Sequence, residues 1–213
     1  MIFSVDDIKR DVRIALDQNN SSTPLLDTGD VDTLTLEEII ESKIVDGVRA
    51  MALKAPQYML EGGKTFSGSI KWRGAAGRGS GSIMLPDDYL RLKIFKMSDW
   101  DYPVFDAITP DNPLYRMQFS RYEGIKGSPQ KPVVAITSNA DGMVLEFFSS
   151  MGGENVNIED AAYIPIPKIE NGTVDISEKL YRPTIHYIAY LVALTIQNGN
   201  LATAMQTICN ELL

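Results

Sequence analysis

Residues 82–97, SIMLPDDYLRLKIFKM, decide how the rest of the chain is read, because helical spacing precedes them and strand spacing follows. A short strand over 82–85 meets a Pro-Asp-Asp corner and returns as a longer strand. Pro86 suits the corner, since its ring fixes φ and it has no amide hydrogen to leave unpaired. Beyond it, Leu90, Leu92 and Ile94 alternate with Arg91, Lys93 and Phe95, which predicts one buried and one solvated strand face.

Immediately upstream, residues 62–81 are Gly-rich and basic, with Gly68, Gly74, Gly77, Gly79 and Gly81 too closely spaced for a stable helix. They predict an extended arm or a long hairpin. Lys64, Lys71, Arg73 and Arg78 give it charge, and Phe66 and Trp72 give it something to bury. A phosphate-cradling loop needs Lys-Ser or Lys-Thr after the glycines and then a helix; neither is present. Further upstream, Ser4 and Asp7 open a helix carrying Val5, Ile8, Val12 and Leu16, which stops near Gln18. Thr35 and Glu38 have capping-box spacing, and Leu36, Ile40, Ile44, Val48 and Met51 then fall on one helical face that Pro56 limits.

Downstream, Trp100 and Tyr102 beside Pro103 mark an aromatic corner. Residues 114–119 read as a strand, and 133–137 with 143–148 as a hairpin closed by Asn139, Ala140, Asp141 and Gly142. Residues 163–166 read as a short edge strand, since Pro165 cannot donate to a ladder. Helix returns at Ser177. The run 185–196 is apolar nearly all round, Asn198-Gly199-Asn200 stops it in a left-handed cap, and a last helix occupies 201–212.

The expected fold is therefore α+β: an antiparallel helical bundle from both chain ends with an inserted small antiparallel β-sheet. Its parts are N-terminal helices in 1–61, the Gly-rich arm in 62–81, the β insertion in 82–175 and C-terminal helices in 176–213. The single cysteine, Cys209, excludes an internal disulfide framework and suits a reducing compartment. The first residues, MIFSVDDIKR, hold acids where a signal peptide needs basic residues, and 185–196 is too short for a membrane span.

Net charge is −8, unevenly spread: six cations meet twelve acids in 1–61, seven meet two in 62–96, and seven meet fourteen in the remainder. An acidic body is poorly suited to wrapping nucleic acid, because each phosphate contact needs a cation. The sequence offers little chemistry either. His186 sits in the most apolar helix without a second metal ligand nearby, and Cys209 has no adjacent base. Asp87 and Asp88 read as turn residues, and Asp27, Asp30 and Asp32 depart from the calcium-loop pattern. No catalytic, cofactor-binding or metal-binding residue is assigned, and the expectation is a non-enzymatic protein without cofactors. Lys64, Phe66, Lys71, Trp72, Arg73, Arg78 and Trp100 are the candidate partner contacts, since large aromatics in basic or corner loops are enriched at interfaces.

Two helices, a Gly-rich segment, the motif LP-x-DYL-x-L (Leu85, Pro86, Asp88, Tyr89, Leu90, Leu92), a Trp and Pro corner, several strands and a closing helix follow in that order. That order resembles the head-to-tail adaptor proteins of short-tailed bacteriophages, the tail tubular protein A group. The stretches VVAITSNADGMVLEFFSS (133–150) and ISEKLYRPTIHYIAYLVALT (176–195) are similar to neck ring proteins of crAss-like phages. The resemblance implies a virion protein of the phage neck, assembled in the host cytoplasm. It would form a dodecameric homo-oligomeric ring beneath the portal protein, beside other neck or tail rings, and pass double-stranded DNA without specific binding. The same reading implies no membrane partner. The reading from a different class is a nucleic-acid-binding accessory factor acting through the basic Gly-rich arm.

Overall fold

The computed structural model describes residues 1–17, 31–73, 79–151 and 155–213. In chain order the elements are β1 (Ile2–Ser4), α1 (Val5–Asp17), α2 (Val31–Lys54), β2 (Lys64–Thr65), β3 (Lys71–Arg73), β4 (Gly79–Met84), β5 (Tyr89–Met97), α3 (Pro113–Met117) and β6 (Val133–Asn139). Then follow β7 (Gly142–Ser150), β8 (Ile158–Pro165), β9 (Ile169–Glu170), β10 (Thr173–Asp175), α4 (Tyr181–Thr195) and α5 (Gly199–Glu211). The chain divides into two compact units, one of Met1–Gly62 with Ile166–Leu213 and the other of Gly63–Pro165.

This corrects the expected bundle with a small inserted sheet. The described strands form three antiparallel sheets, in the orders β1-β10-β9, β2-β8-β5 and β3-β4-β7-β6, and the first belongs to the helical unit. Two causes are visible. Strands of two or three residues, such as β1 and β9, are too short to show a period in sequence. Of the two forms expected for the Gly-rich segment, its described residues take the hairpin, β3 pairing with β4 inside the four-stranded sheet, so that this sheet is larger than expected. Residues 166–175 likewise leave the expected β insertion, since β10 pairs with β1 through Ile2 opposite Asp175.

In the helical unit, Ser4 Oγ accepts from the Asp6 amide and starts α1, as its spacing indicates. Ile8, Val12 and Leu16 of α1 are buried with Ile40, Ile44 and Met51 of α2 and with Ile188 and Val192 of α4. Helix α2 begins at Val31, so Thr35 lies inside it and the expected capping box is not its start. Gly47 is required where α2 meets α4: a Cβ there would fall inside van der Waals contact with Ile188 Cγ1. The expectation that the apolar helix is buried all round is corrected. Pro183, Thr184, Ile185, Ile188, Ala189, Val192 and Ala193 of α4 are buried, whereas Tyr187, Tyr190 and Leu191 are half-buried and Leu194 is 49% exposed. The left-handed residue after α4 is Gln197 (φ 60°), and Asn198 instead caps α5 by accepting from the Leu201 amide.

In the second unit, the three-stranded and four-stranded sheets share one core that contains Phe66, Leu92, Phe95, Trp100, Leu145, Phe147 and Tyr163. Strand β5 departs from strict alternation. Its pairing with β8 shifts between Tyr89 and Arg91, between Leu92 and Ile94, and between Lys96 and Met97. Each bulge puts two residues opposite one and turns the following side chains to the other face. The buried set is therefore Tyr89, Leu92, Phe95 and Met97, and the expected face of Leu90, Leu92 and Ile94 is not formed. Strand β8 lies between β2 and β5 rather than at an edge, with Pro165 at its last position. The expected strand over 114–119 is helix α3, because Asn112 accepts from the Leu114 amide and Pro113 sits in the first turn. The β6–β7 hairpin turns at Ala140 and Asp141, as the Asp-Gly signal indicates.

Candidate interaction surface

Strand β7 sorts its side chains between two environments. Leu145 and Phe147 enter the shared core, while Val144, Glu146, Phe148 and Ser150 alternate with them and are buried too. The second face is covered by α3 and the residues that follow it, through Tyr115 and Phe119. Tyr115 and Phe119 meet Phe148 edge-on, with ring centroids 6.0 and 5.7 Å away. Tyr115 Oη donates to Glu146 Oε2 at 2.9 Å, and Arg73 on β3 forms an ion pair with the other carboxylate oxygen. Burial and then the Glu146 hydrogen bond raise the Tyr115 phenol above its ordinary pKa. The cover is also tied to itself: Gln118 donates to the Leu114 carbonyl and accepts from the Gly127 amide, each at 2.9 Å.

The stretch from residue 102 to 125 carries several exposed large apolar groups. Tyr102, Phe105, Leu114, Met117, Phe119, Tyr122 and Ile125 are each between 41% and 65% exposed. The helical unit carries a half-buried apolar face. Tyr187, Tyr190, Leu191 and Leu194 recur at the spacing of one α4 face. Leu53 near the end of α2 is 48% exposed, and Lys54 Nζ sits 4.6 Å from the Tyr187 ring centroid.

The residues singled out from sequence are distributed differently. Trp100 is 3% exposed and Phe66 is 8% exposed, so both are corrected from partner contacts to core. Trp100 meets Phe95 and Phe147 edge-on at 5.6 and 6.3 Å. Trp72 is half-buried and meets Phe147 at 5.4 Å, above Gly81, its partner in register. A Cβ on Gly81 would collide with that phenyl ring, which is why a glycine sits opposite the indole. Lys64 Nζ donates to Asp88 at 2.7 Å, and Arg73 is paired with Glu146, so two of the four cations are already engaged inside the unit. Lys71 is exposed on the edge strand β3. Arg78, with Gly74 and Gly77, lies outside the described residues, as do Asp27 and Asp30.

Sequence reasoning missed Glu146, Tyr115 and the exposed aromatics of the cover. The available signal was a Pro- and Asp-rich stretch holding Tyr102, Phe105, Tyr115, Phe119 and Tyr122. Two smaller features lie in the helical unit. Asp11, Tyr181, Arg182 and His186 line a cavity of about 180 Å³, where Tyr181 Oη donates to Asp11 at 2.8 Å. Burial lowers the His186 pKa, helped by Arg182. Cys209 is buried with its Sγ 3.7 Å from Met51 Sδ, and burial pushes its thiol pKa up. Among the described residues, no group of three or more His, Cys, Asp or Glu could hold a metal ion, and no helix is long and apolar enough to cross a membrane. No family model matches the chain, and no curated protein matches it in sequence.

Proposed function

We propose that this chain is a structural building block of a phage particle, one subunit of a ring in the neck that joins portal to tail and surrounds the DNA channel. The observation that carries the reading is the exposed apolar cover of residues 102–125, held on a rigid sheet by Glu146, Tyr115 and Phe148. Seven large apolar side chains in this stretch are each between 41% and 65% exposed, and exposed apolar groups in such number mark interaction surfaces on soluble proteins. Such a surface is a docking surface, and a ring subunit needs one for each neighbour.

The order of sequence features shared with short-tailed phage adaptors supports the same role. Charge supports it as well, since a net −8 lets duplex DNA slide past without adhering. Acting through the basic segment as a nucleic-acid binder is disfavoured by the pairing of Lys64 with Asp88 and of Arg73 with Glu146.

The test is negative-stain imaging and mass measurement of the purified chain, alone and with a candidate portal protein. Rings or portal-bound assemblies are expected. A chain that stays monomeric at about 100 µM and ignores the portal overturns the reading, because even a weak specific contact is populated at that concentration. Duplex DNA should bind feebly, and tight binding that falls steeply with salt would favour the nucleic-acid reading.

A further inference from the structure

We infer that the cavity between α1 and α4 is a binding site for a small organic carboxylate, a benzene-sized apolar body carrying one anionic group. The inference goes beyond the ring-subunit reading and does not depend on it. The cavity lies wholly within the helical unit, where Asp11 and Ala15 sit a turn apart on α1 and Arg182 and His186 a turn apart on α4.

Size and lining set the body of the ligand. Part of the lining is hydrocarbon: Ala15 and Ile185 are 5% and 6% exposed, and Ile14 joins them at 47%. An apolar cavity of about 150 Å³ holds a benzene ring, so a space of about 180 Å³ takes one ring and a small polar group. A hydrocarbon lining favours an organic acid over a bare inorganic anion, which would lose hydration against Ile185 without gaining a hydrogen bond there.

The polar part sets the sign of its charge. Arg10 answers both Asp7, at 3.0 Å, and Asp11, at 3.2 Å, and Tyr181 Oη gives Asp11 a second donor at 2.8 Å. The acid lining the cavity is therefore already engaged. Arg182 is exposed and makes no ion pair or side-chain hydrogen bond among the described residues. His186, one turn further along α4, has its Nδ1 buried without a hydrogen-bond partner. The unanswered charge is thus a guanidinium, whose planar fork suits a carboxylate, with an imidazole beside it. Burial and then Arg182 hold the His186 pKa below its ordinary value. A carboxylate seated on Arg182 offsets that field, so a bound acid should raise the His186 pKa.

The chain has one histidine, so its imidazole signals in an NMR spectrum belong to His186 alone. Sodium benzoate is titrated into the full chain at constant ionic strength, with benzylamine, benzyl alcohol and acetate as comparisons that change the charge, remove it, or remove the ring. Benzoate should move the His186 signals saturably, with a Kd on the order of 1 mM for so small a ligand. It should also raise the His186 pKa, read between about pH 5 and 8. The three comparison compounds should bind about tenfold more weakly or worse. Arg182→Gln and Ile14→Glu, both at exposed positions, should each weaken benzoate by about tenfold, with thermal unfolding to check that the chain stays folded and Ile14→Ser in reserve. No saturable shift by about 100 mM benzoate, benzylamine binding as tightly, or an Arg182→Gln chain that binds benzoate unchanged overturns the site. Acetate binding as tightly as benzoate overturns the assignment to an apolar-bodied acid. None of these readouts involves assembly, so the ring-subunit reading stands or falls separately, on imaging and mass.

Discussion

Arg73 and Glu146 form an ion pair of unequal exposure: the guanidinium side chain is 44% exposed and the carboxylate side chain 6%. Losing either partner is thus not equivalent. Arg73→Ala leaves a buried carboxylate with Tyr115 as its side-chain donor among the described residues and should cost about 2–4 kcal/mol in urea unfolding. Glu146→Gln leaves a cation that can turn to water and should cost about 1 kcal/mol.

The Tyr115 hydroxyl holds the cover to the sheet, so Tyr115→Phe tests that tie without changing the ring that meets Phe148. A hydrogen bond to a charged acceptor contributes about 1.5–3 kcal/mol. Amide exchange across residues 113–127 should quicken in this variant, while β5 and β8, in the other sheet, keep their protection.

Phe95 is fully buried on a face where strict alternation would have exposed it. Phe95→Ala should cost about 3–5 kcal/mol by lost transfer energy and the cavity left behind. Ile94→Ala, at a half-buried position, should cost less than half as much, and the reverse order would mean that the bulges do not form.

Gly47→Ala should destabilise the α2–α4 contact by about 1–3 kcal/mol, because its methyl group would overlap Ile188. Ile188→Ala, itself costly, removes the atoms it strikes. The double variant should therefore lose less than the two single losses together, and simple additivity would show that Gly47 is needed for another reason.

Asp88 is held below the usual carboxylate pKa, first by the hydrogen bond from Lys64 and then by the one from Tyr163 at 2.5 Å. Burial and this same bond push Tyr163 up to about 12. A carboxyl lower in the folded state makes the unfolded chain the greater proton binder in acid. Its stabilisation is complete above about pH 4 and is lost as pH falls through the folded pKa. Urea midpoints measured down to about pH 2 should fall less for Asp88→Asn than for the unmodified chain.

Where residues interact with sequence neighbours, the sequence was a sound guide. The spacing of Ile8, Val12 and Leu16, the cap at Ser4 and the Asp141-Gly142 turn each depend on a few adjacent positions, and each is present. The strand expected over 114–119 gave way to a local cap at Asn112 and Pro113, and other failures lie where distant partners decide. A bulge in β5 is set by its pairing with β8, which residues 89–97 do not carry alone. The fate of Trp100 depends on Phe147, far along the chain, and that of Arg73 depends on Glu146. The cover was misread for a related reason: Tyr115 and Phe119, four residues apart, meet Phe148 of β7, a partner that residues 114–119 do not name.

The pairing of Ile2 with Asp175 governs the order in which a newly made chain can fold. All residues of the sheet unit, Gly63–Pro165, are contiguous and leave the ribosome together, whereas the helical unit needs both its first strand and residues beyond Ile166. During synthesis the sheets can therefore close first while α1 and α2 wait with their apolar faces open, a window in which chaperones would act and stalled chains would clump.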